Sequence, residues 1–390
     1  MIETVVHVVG ARPNFIKAAP VISSLERRGV RQRLIHTGQH YDTSLSDVFF
    51  EELVLPEPDV NLGIGSGTQA GQTAAIMTAL ETAFTEIRPR LVVVYGDVNS
   101  TVAASLVAAK LGQPVAHVEA GLRSFDNSMP EEINRRVTDL LSDLLFVTSP
   151  EAIGNLERMG AAREAIHFVG NPMIDTLLSH LSSFDPALVR ARLGLPERYA
   201  VATIHRPGNV DEPGQASRVV AMLHGVAELL PLVLPLHPRG RRTLAEAGLN
   251  DGPAALRVVE PIGYVDFLSL VRGAAVVITD SGGIQEETTI LGVPCLTVRP
   301  NTERPITISH GTNRLVEPEL VASATRDIVN GARPEPREHP PLWDGRAGDR
   351  IGEIIVDWLS GRGSTAGERY PRPGTTDLDS PSTRPDLEDS

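Results

Sequence analysis

The chain reads as an α/β protein made of two Rossmann-like, doubly wound domains facing a central cleft. Three observations predict this. Short β-branched runs alternate with longer amphipathic segments, the pattern of parallel strands joined by helices. The alternation occurs twice, with similar periodicity and no repeated motif, which argues against a solenoid. A length of 390 residues exceeds one ordinary core and suits two.

In the first half the strands are TVVHVV, QRLIHT, RLVVVYG, PVAHVEA and LLFVTS, with HFVG closing the set. Pro130 fits the first turn of a helix starting near Met129 or Pro130, with Glu131 and Glu132 at its positive end. The stretch GIGSGTQAG places Gly65, Gly67 and Ala70 in a GxGxxA spacing. The preceding PEPDVNL makes a poor buried strand, so a helix beginning near Thr68 behind a flexible loop explains these glycines better than a dinucleotide fingerprint. In the second half the strands are YAVATIH, LVLPLH, ALRVVE, AVVITD and PCLTV, separated by helical stretches such as QASRVVAMLHGVAELL and VDFLSLVRGA.

The boundary is predicted between Gly170 and Asp175, giving domains over 1–170 and 171–360. GDRIGEIIVDWLSG is a last helix, able to pack back on the first domain. Residues 361–390, rich in Pro, Ser, Thr and acid, predict a disordered tail.

Composition narrows the function. A formal charge of −13 without basic runs argues against nucleic-acid or membrane-surface binding. The single cysteine, Cys295, allows no internal disulfide and gives no sign of an oxidising compartment or a cysteine-rich metal site. The opening MIETVVHVVGARP has too short an apolar core, and no basic region before it, for a signal segment. No apolar run approaches bilayer length. The expectation is therefore a cytoplasmic enzyme. Eleven histidines show no HxxxH or comparable spacing, so no metal site is predicted.

Ligands of open parallel sheets bind beyond the carboxyl ends of the strands. At those ends stand Arg12 and Lys17 in GARPNFIK; Asp97, Asn99, Ser100 and Thr101; Glu119; His205 and Arg206; His237 and Arg239; and DSGGIQEE. Helix capping alone would explain Asp97 to Thr101. So many ionisable residues at strand ends favour a cleft between the domains. In DSGGIQEE, paired glycines at a strand-to-helix turn free backbone N–H groups for a phosphate. There is no GxxxxGK[ST] pattern, and nothing demands Mg²⁺. Glu131 and Arg135 share one helix stripe, as do Glu132 and Arg136. Surface salt bridging accounts for the second pair; the first faces the crevice to which the preceding strand delivers Glu119.

These residues resemble the non-hydrolysing UDP-N-acetylglucosamine 2-epimerases, from about Val5 to Leu359. GARPNFIKAAP, TGQHYD, VYGDVNST, HVEAGLRSF, PEEINRR, GNPMIDTL, TIHRP, TDSGGIQEE and TERPI match family segments in order. The resemblance implies a glycosyltransferase-B-like architecture, a UDP-sugar substrate and a homodimer, with no nicotinamide or other cofactor. It implies epimerisation at C2 by elimination of UDP to a 2-acetamidoglucal and re-addition on the opposite face. Asp97, Glu119 and Glu131 become the acid/base carboxylates, with Arg135 and His205 assisting. Arg12, Lys17, Ser281, Gly282, Gly283 and Arg304 hold the diphosphate, Glu287 the ribose, and Phe267 lines the pocket.

The sequence departs from the family at three places. Asn14 stands where many members have an acid, Gly208 where a glutamate is common, and Asp42 where members activated by their own substrate carry glutamine, although Gln39 and His40 are present. The alternatives are an epimerase acting on a UDP-2,3-diacetamido uronic acid, a UDP-sugar glycosyltransferase of the same architecture, and a silent UDP-sugar-binding protein.

Overall fold

A computed structural model describes residues 4–38, 52, 53, 55–236, 238–332 and 339–361. The first unit runs β1 (Thr4–Val9), α1 (Arg12–Arg27), β2 (Arg31–His36), β3 (Val60–Asn61), α2 (Gln69–Ile87), β4 (Leu91–Tyr95), α3 (Asn99–Lys110), β5 (Val115–Ala120), α4 (Pro130–Leu141), β6 (Leu144–Val147), α5 (Pro150–Arg158) and β7 (Ile166–Phe168). Helices α6 (Pro172–Ser179) and α7 (Pro186–Arg192) lead to the second unit. It runs β8 (Ala200–Thr203), α8 (Pro207–Val210), α9 (Pro213–Ala227), β9 (Leu232–Pro235), α10 (Pro238–Glu246), β10 (Leu256–Val259), α11 (Tyr264–Arg272), β11 (Val276–Thr279), α12 (Gly282–Leu291), β12 (Cys295–Thr297), α13 (Ile306–Ser309), β13 (Asn313–Leu315) and α14 (Pro318–Val329), and α15 (Ala347–Leu359) follows.

Both sheets are parallel, in the orders β3-β2-β1-β4-β5-β6-β7 and β10-β9-β8-β11-β12-β13. Strands β1, β4 and β5 are buried along their whole length. Continuous Val-rich runs therefore suit them better than alternation, because helices cover both sheet faces. Proline in the first turn starts α4, α5, α6 and α9, where its missing N–H would have had no intrahelical partner. Thr68 caps α2 by accepting from the Gly71 N–H. This is the helix start expected behind the GIGSGTQAG loop.

Two strands lie outside the sequence expectation. PEPDVNL, read as a non-strand, contributes β3, two residues that pair with Ile35 and His36. NRL forms β13 against β12. Both are sheet edges, where one side carries no ladder and little apolar area is buried, so neither shows a β-branched run.

The chain crosses between sheets through Val169, Gly170 and Asn171 into α6, which packs on both α1 and α12. Apolar packing is continuous from Val93 in the first unit through Met173 and Leu177 of α6 to Leu268 and Val277 in the second. Helix α15 returns to α1, and a Cβ at Gly348 would stand 2.7 Å from the Pro20 backbone, so only glycine permits this approach. The Gly348 N–H donates to Asp175 Oδ2 at 2.6 Å, and Arg27 pairs with Asp349 at 2.6 Å. Burial, opposed by the α15 backbone N–H groups, pushes the Asp175 carboxyl up to about 6.

Gln39, His40, Asp42, His237 and the tail beyond Gly361 lie outside the described residues. Among the described residues no helix is long and apolar enough to cross a membrane.

Candidate active site

Each sheet reverses its strand order once, between β1 and β4 and between β8 and β11. At such switch points the loops leave the sheet in opposite directions and open a crevice. The loop after β1 leads into α1, which carries Arg12 and Lys17, and the loop after β4 carries Asp97; the loops after β8 and β11 deliver His205 and Ser281.

Glu119 is turned out of its strand by the backbone. It has φ +78, and the β5–β6 register shifts between Val118 and Ala120. A non-glycine residue in this conformation costs of order 1–3 kcal/mol and persists only where surrounding contacts over-determine it. Those contacts are two cations. Lys17 Nζ donates to Glu119 Oε2, and Arg304 Nη2 donates to Glu119 Oε1 at 2.8 Å. Burial alone would raise this carboxyl, but Lys17 and Arg304 outweigh it and hold it below the usual glutamate range.

Arg304 joins the two units. Its Nη1 donates to Glu303 Oε1, its Nε lies 3.0 Å from Glu286 Oε1, and its Nη2 reaches Glu119. The guanidinium lies over the first residue of α12: a Cβ at Gly282 would collide with Arg304 Nη1 and stand 2.7 Å from its Cζ. Gly282 is thus needed for close approach, and the same bare helix start leaves backbone N–H groups for an anion. Glu303 also pairs with Arg299 at 2.7 Å.

The first wall continues with Asp97, whose Oδ2 accepts from Arg135 Nη1 at 2.5 Å. Arg135 also donates to Glu132 Oε2 at 2.8 Å, and Glu132 Oε2 accepts from the Ser124 N–H and hydroxyl. This corrects the expected pairing. The buried partner of Arg135 on α4 is Glu132, three residues back, and Arg136 donates to Asn127 instead. Glu131 is half-buried in the first turn of α4 and makes no ion pair among the described residues. Asp97 is not a helix cap either, since Val98 holds that position at the start of α3.

On the second wall, His205 Nδ1 lies 3.0 Å from Asp280 Oδ1, and half of the imidazole side chain is exposed. Asp280 is buried and also accepts from the Arg206 N–H and Asn209 Nδ2, both at 2.9 Å. Burial opposes its ionisation, but His205 and these donors hold it near 2. Glu287 points into the second unit against Tyr264; burial, with neighbouring Glu286, pushes its carboxyl up to about 8. Phe267 is half-buried on the next turn of α11, and Gly283 packs against Met173. Arg12 is half-buried at the start of α1.

Lys17, Glu119, Arg304 and Gly282 thus meet at one point, with Asp97 and Arg135 in the same wall and Asp97 close enough to add to the field on Arg304. His205 and Ser281 flank Asp280. Glu131 and Glu287 stand apart from that ion-pair network. Sequence reasoning gave no site role to Glu132, which it assigned to surface salt bridging, to Asp280 and Glu286 within DSGGIQEE, or to Glu303. Each adjoins a residue it did single out, so proximity was the available signal.

Asn14 has its own function. Its Oδ1 accepts from the Gly10 and Ala11 N–H groups while its Nδ2 donates to the Tyr95 carbonyl at 2.8 Å, tying the β1 loop to the end of β4. An ionised acid could not make that last bond. A Cβ at Gly208 would meet nothing within 4 Å. Among the described residues no group of three His, Cys, Asp or Glu side chains could hold a metal ion.

The family model for UDP-N-acetylglucosamine 2-epimerase matches residues 23–356. The chain belongs to that epimerase family. A UDP-N-acetylglucosamine 2-epimerase of Methanocaldococcus jannaschii is 40% identical over 360 residues, covering 90% of this chain and 98% of the relative. The crystal structure of the enzyme from that organism in complex with UDP-GlcNAc and UDP superposes with a TM-score of 0.85, covering 90% of this chain and 99% of that one. A UDP-2,3-diacetamido-2,3-dideoxy-D-glucuronate 2-epimerase of Pseudomonas aeruginosa is 40% identical over 336 residues, 84% of this chain and 91% of the relative. The fold is therefore that of the glycosyltransferase-B-like epimerases, and the chain is an isomerase of this family.

Proposed function

We propose that the protein interconverts UDP-GlcNAc and UDP-ManNAc by inverting C2 of the sugar. The observation that carries this reading is the meeting of opposite chemistries in one crevice. Carboxylates held by cations line one wall, and a helix start beneath a guanidinium forms the other. The C2 proton of the substrate is not acidified by a neighbouring carbonyl, so direct deprotonation is slow. Elimination removes the difficulty. A carboxylate takes the C2 proton, the C–H electron pair becomes the C1=C2 bond, and the C1–O pair leaves with UDP. Re-addition of UDP to the 2-acetamidoglucal, with a proton delivered to the other face, gives the epimer.

Asp97, Glu119 and Glu131 are the acid/base groups in this proposal, with Arg135 and His205 assisting. Arg12, Lys17, Arg304 and the α12 start at Ser281, Gly282 and Gly283 offset the charge developing on the leaving diphosphate. Glu287, its carboxyl pushed up to about 8 by burial, serves the ribose, and Phe267 lines the nucleotide pocket. Closure of two domains, 1–170 and 171–360, keeps water from the glucal. Incubation with UDP-GlcNAc alone tests the reading. Anomeric proton signals of UDP-ManNAc should appear without an acceptor, and unchanged signals would reject it.

The relative from Pseudomonas aeruginosa supports a second reading, in which the sugar is the 2,3-diacetamido uronic acid. Comparing kcat/KM for the two nucleotides separates them. A homodimer is also proposed. A hollow of about 350 Å³ lined by Ala70, Ala74, Met77, Pro130 and Ile133, with Ile133 half exposed, gives α2 and α4 an apolar face suited to a second copy. Ile133→Glu should then yield monomers by sedimentation velocity. A cytoplasmic setting fits a chain whose single cysteine is a buried thiol.

A further inference from the structure

We propose that Glu286 is a positioning residue: it holds Arg304 in its clamp orientation and balances charge when the diphosphate enters. The proposal rests on the UDP-sugar reading above and extends it to a residue outside the motif-derived set.

Arg304 offers three edges, and each meets a different carboxylate. Glu303 takes Nη1 and Glu119 takes Nη2 from across the crevice in hydrogen bonds, while Glu286 Oε1 stands 3.0 Å from Nε as an ion pair without hydrogen-bond geometry. Glu286 and Glu303 belong to the same unit as Arg304, so they fix its plane; Nη2 is left as the edge turned to the other wall and to an incoming anion. Glu286 lies one turn after Gly282 on α12, on the same stripe. The guanidinium is therefore held along the first turn of that helix, its Cζ close to the place where a Cβ on Gly282 would be.

The environment of Glu286 gives it the second task. It is 1% exposed, and its Oε2 has no hydrogen-bond partner among the described residues. The groups facing it are Arg304, Glu119, Lys17 and the neighbouring Glu287. With both carboxylates ionised, Glu119 and Glu286 already cancel Lys17 and Arg304. A diphosphate entering this dry site adds negative charge that no further cation among these four meets. One proton on Glu286 offsets part of it. Burial first, with Arg304 opposing and Glu119 assisting, sets its carboxyl at about 7, so that proton is available near neutrality. Glu286 is buried against Arg304, so its effect passes through that guanidinium.

Calorimetric titration of UDP into the wild-type protein, E286Q and E286A, from pH 6 to 8.5 in buffers of different ionisation heat, tests both tasks. The UDP phosphate titrates in the same range, so the readout is the difference between proteins. Wild-type affinity should fall by up to about tenfold more per pH unit above 7 than that of E286Q, with correspondingly greater proton uptake. E286Q keeps a carbonyl oxygen facing Arg304 Nε and should bind UDP tightly across the range. E286A loses it and should bind roughly tenfold more weakly than E286Q at pH 7. Equal proton uptake by wild type and E286Q, or equal affinity of E286A and E286Q, overturns the role. If E286A does not fold, the comparison of wild type with E286Q decides alone. Absence of UDP binding by the wild-type protein would reject the function itself, and this role with it.

Discussion

Glu119 in the first unit and Glu286 in the second are both buried, and both pair with the same guanidinium of Arg304. They nevertheless end in opposite states. Burial pushes each carboxyl up, but Glu119 is bonded directly to Lys17 as well as Arg304 and is held below the usual range, whereas Glu286 pairs with Arg304 alone, feels Lys17 only at a distance and Glu119 against it, and rises to about 7. Glu287, farther from any cation, rises to about 8. The direct Lys17 bond thus separates a wall whose glutamate is held below the usual range from a wall where burial raises two glutamates toward neutrality. In the proposed mechanism the first accepts a proton from carbon and the second sits beside the diphosphate.

The largest break in that comparison comes from the first wall. If these groups act on a proton in transit as proposed, Asp97→Asn and Glu119→Gln should each lower kcat by about 10²–10⁴-fold while UDP affinity changes only a few-fold. Steady-state rates and calorimetry read the two effects separately. Glu131→Gln sharpens the point, since Glu131 lies outside the ion-pair network: an equal loss makes it a third acid/base group, and near-normal turnover removes it. Next in size is Arg135→Met. It leaves Asp97 and buried Glu132 without their cation, and chemical denaturation should show a loss of about 3–5 kcal/mol.

On the second wall, Gly282→Ala puts a methyl where the Arg304 guanidinium lies, and UDP binding should weaken by about 1–3 kcal/mol with turnover at saturation less affected. The smallest effect is on stability against pH. Glu286 and Glu287 have folded pKa values raised above the ordinary 4.5, so their contribution is complete below about pH 4.5 and is lost as pH rises through about 7 and 8. Thermal unfolding should therefore show stability declining between about pH 4.5 and 8, and Glu287→Gln should flatten part of that decline.

The strands of both sheets were legible because β1, β4, β5 and β11 are buried throughout and spell it in valine and isoleucine. The edge strands β3 and β13 were not, since two or three residues with one open side need no such run. At the site, strand ends identified Lys17, Asp97, Glu119 and His205 as neighbours of a crevice. Spacing could not choose between Glu131 and Glu132 as the partner of Arg135, because i+3 and i+4 are both adjacent on a helix. The Ser124 N–H and hydroxyl made the choice by drawing Glu132 inward. The positive φ of Glu119 was equally hidden, as nothing in HVEAG distinguishes a bulged glutamate from a regular one.

The most direct measurement is proton NMR of UDP-GlcNAc incubated with the protein in D₂O. Elimination and re-addition with the proton passing through a carboxylate predict UDP-ManNAc carrying deuterium at C2. UDP-ManNAc that retains protium at C2, or no epimer at all, would contradict the account.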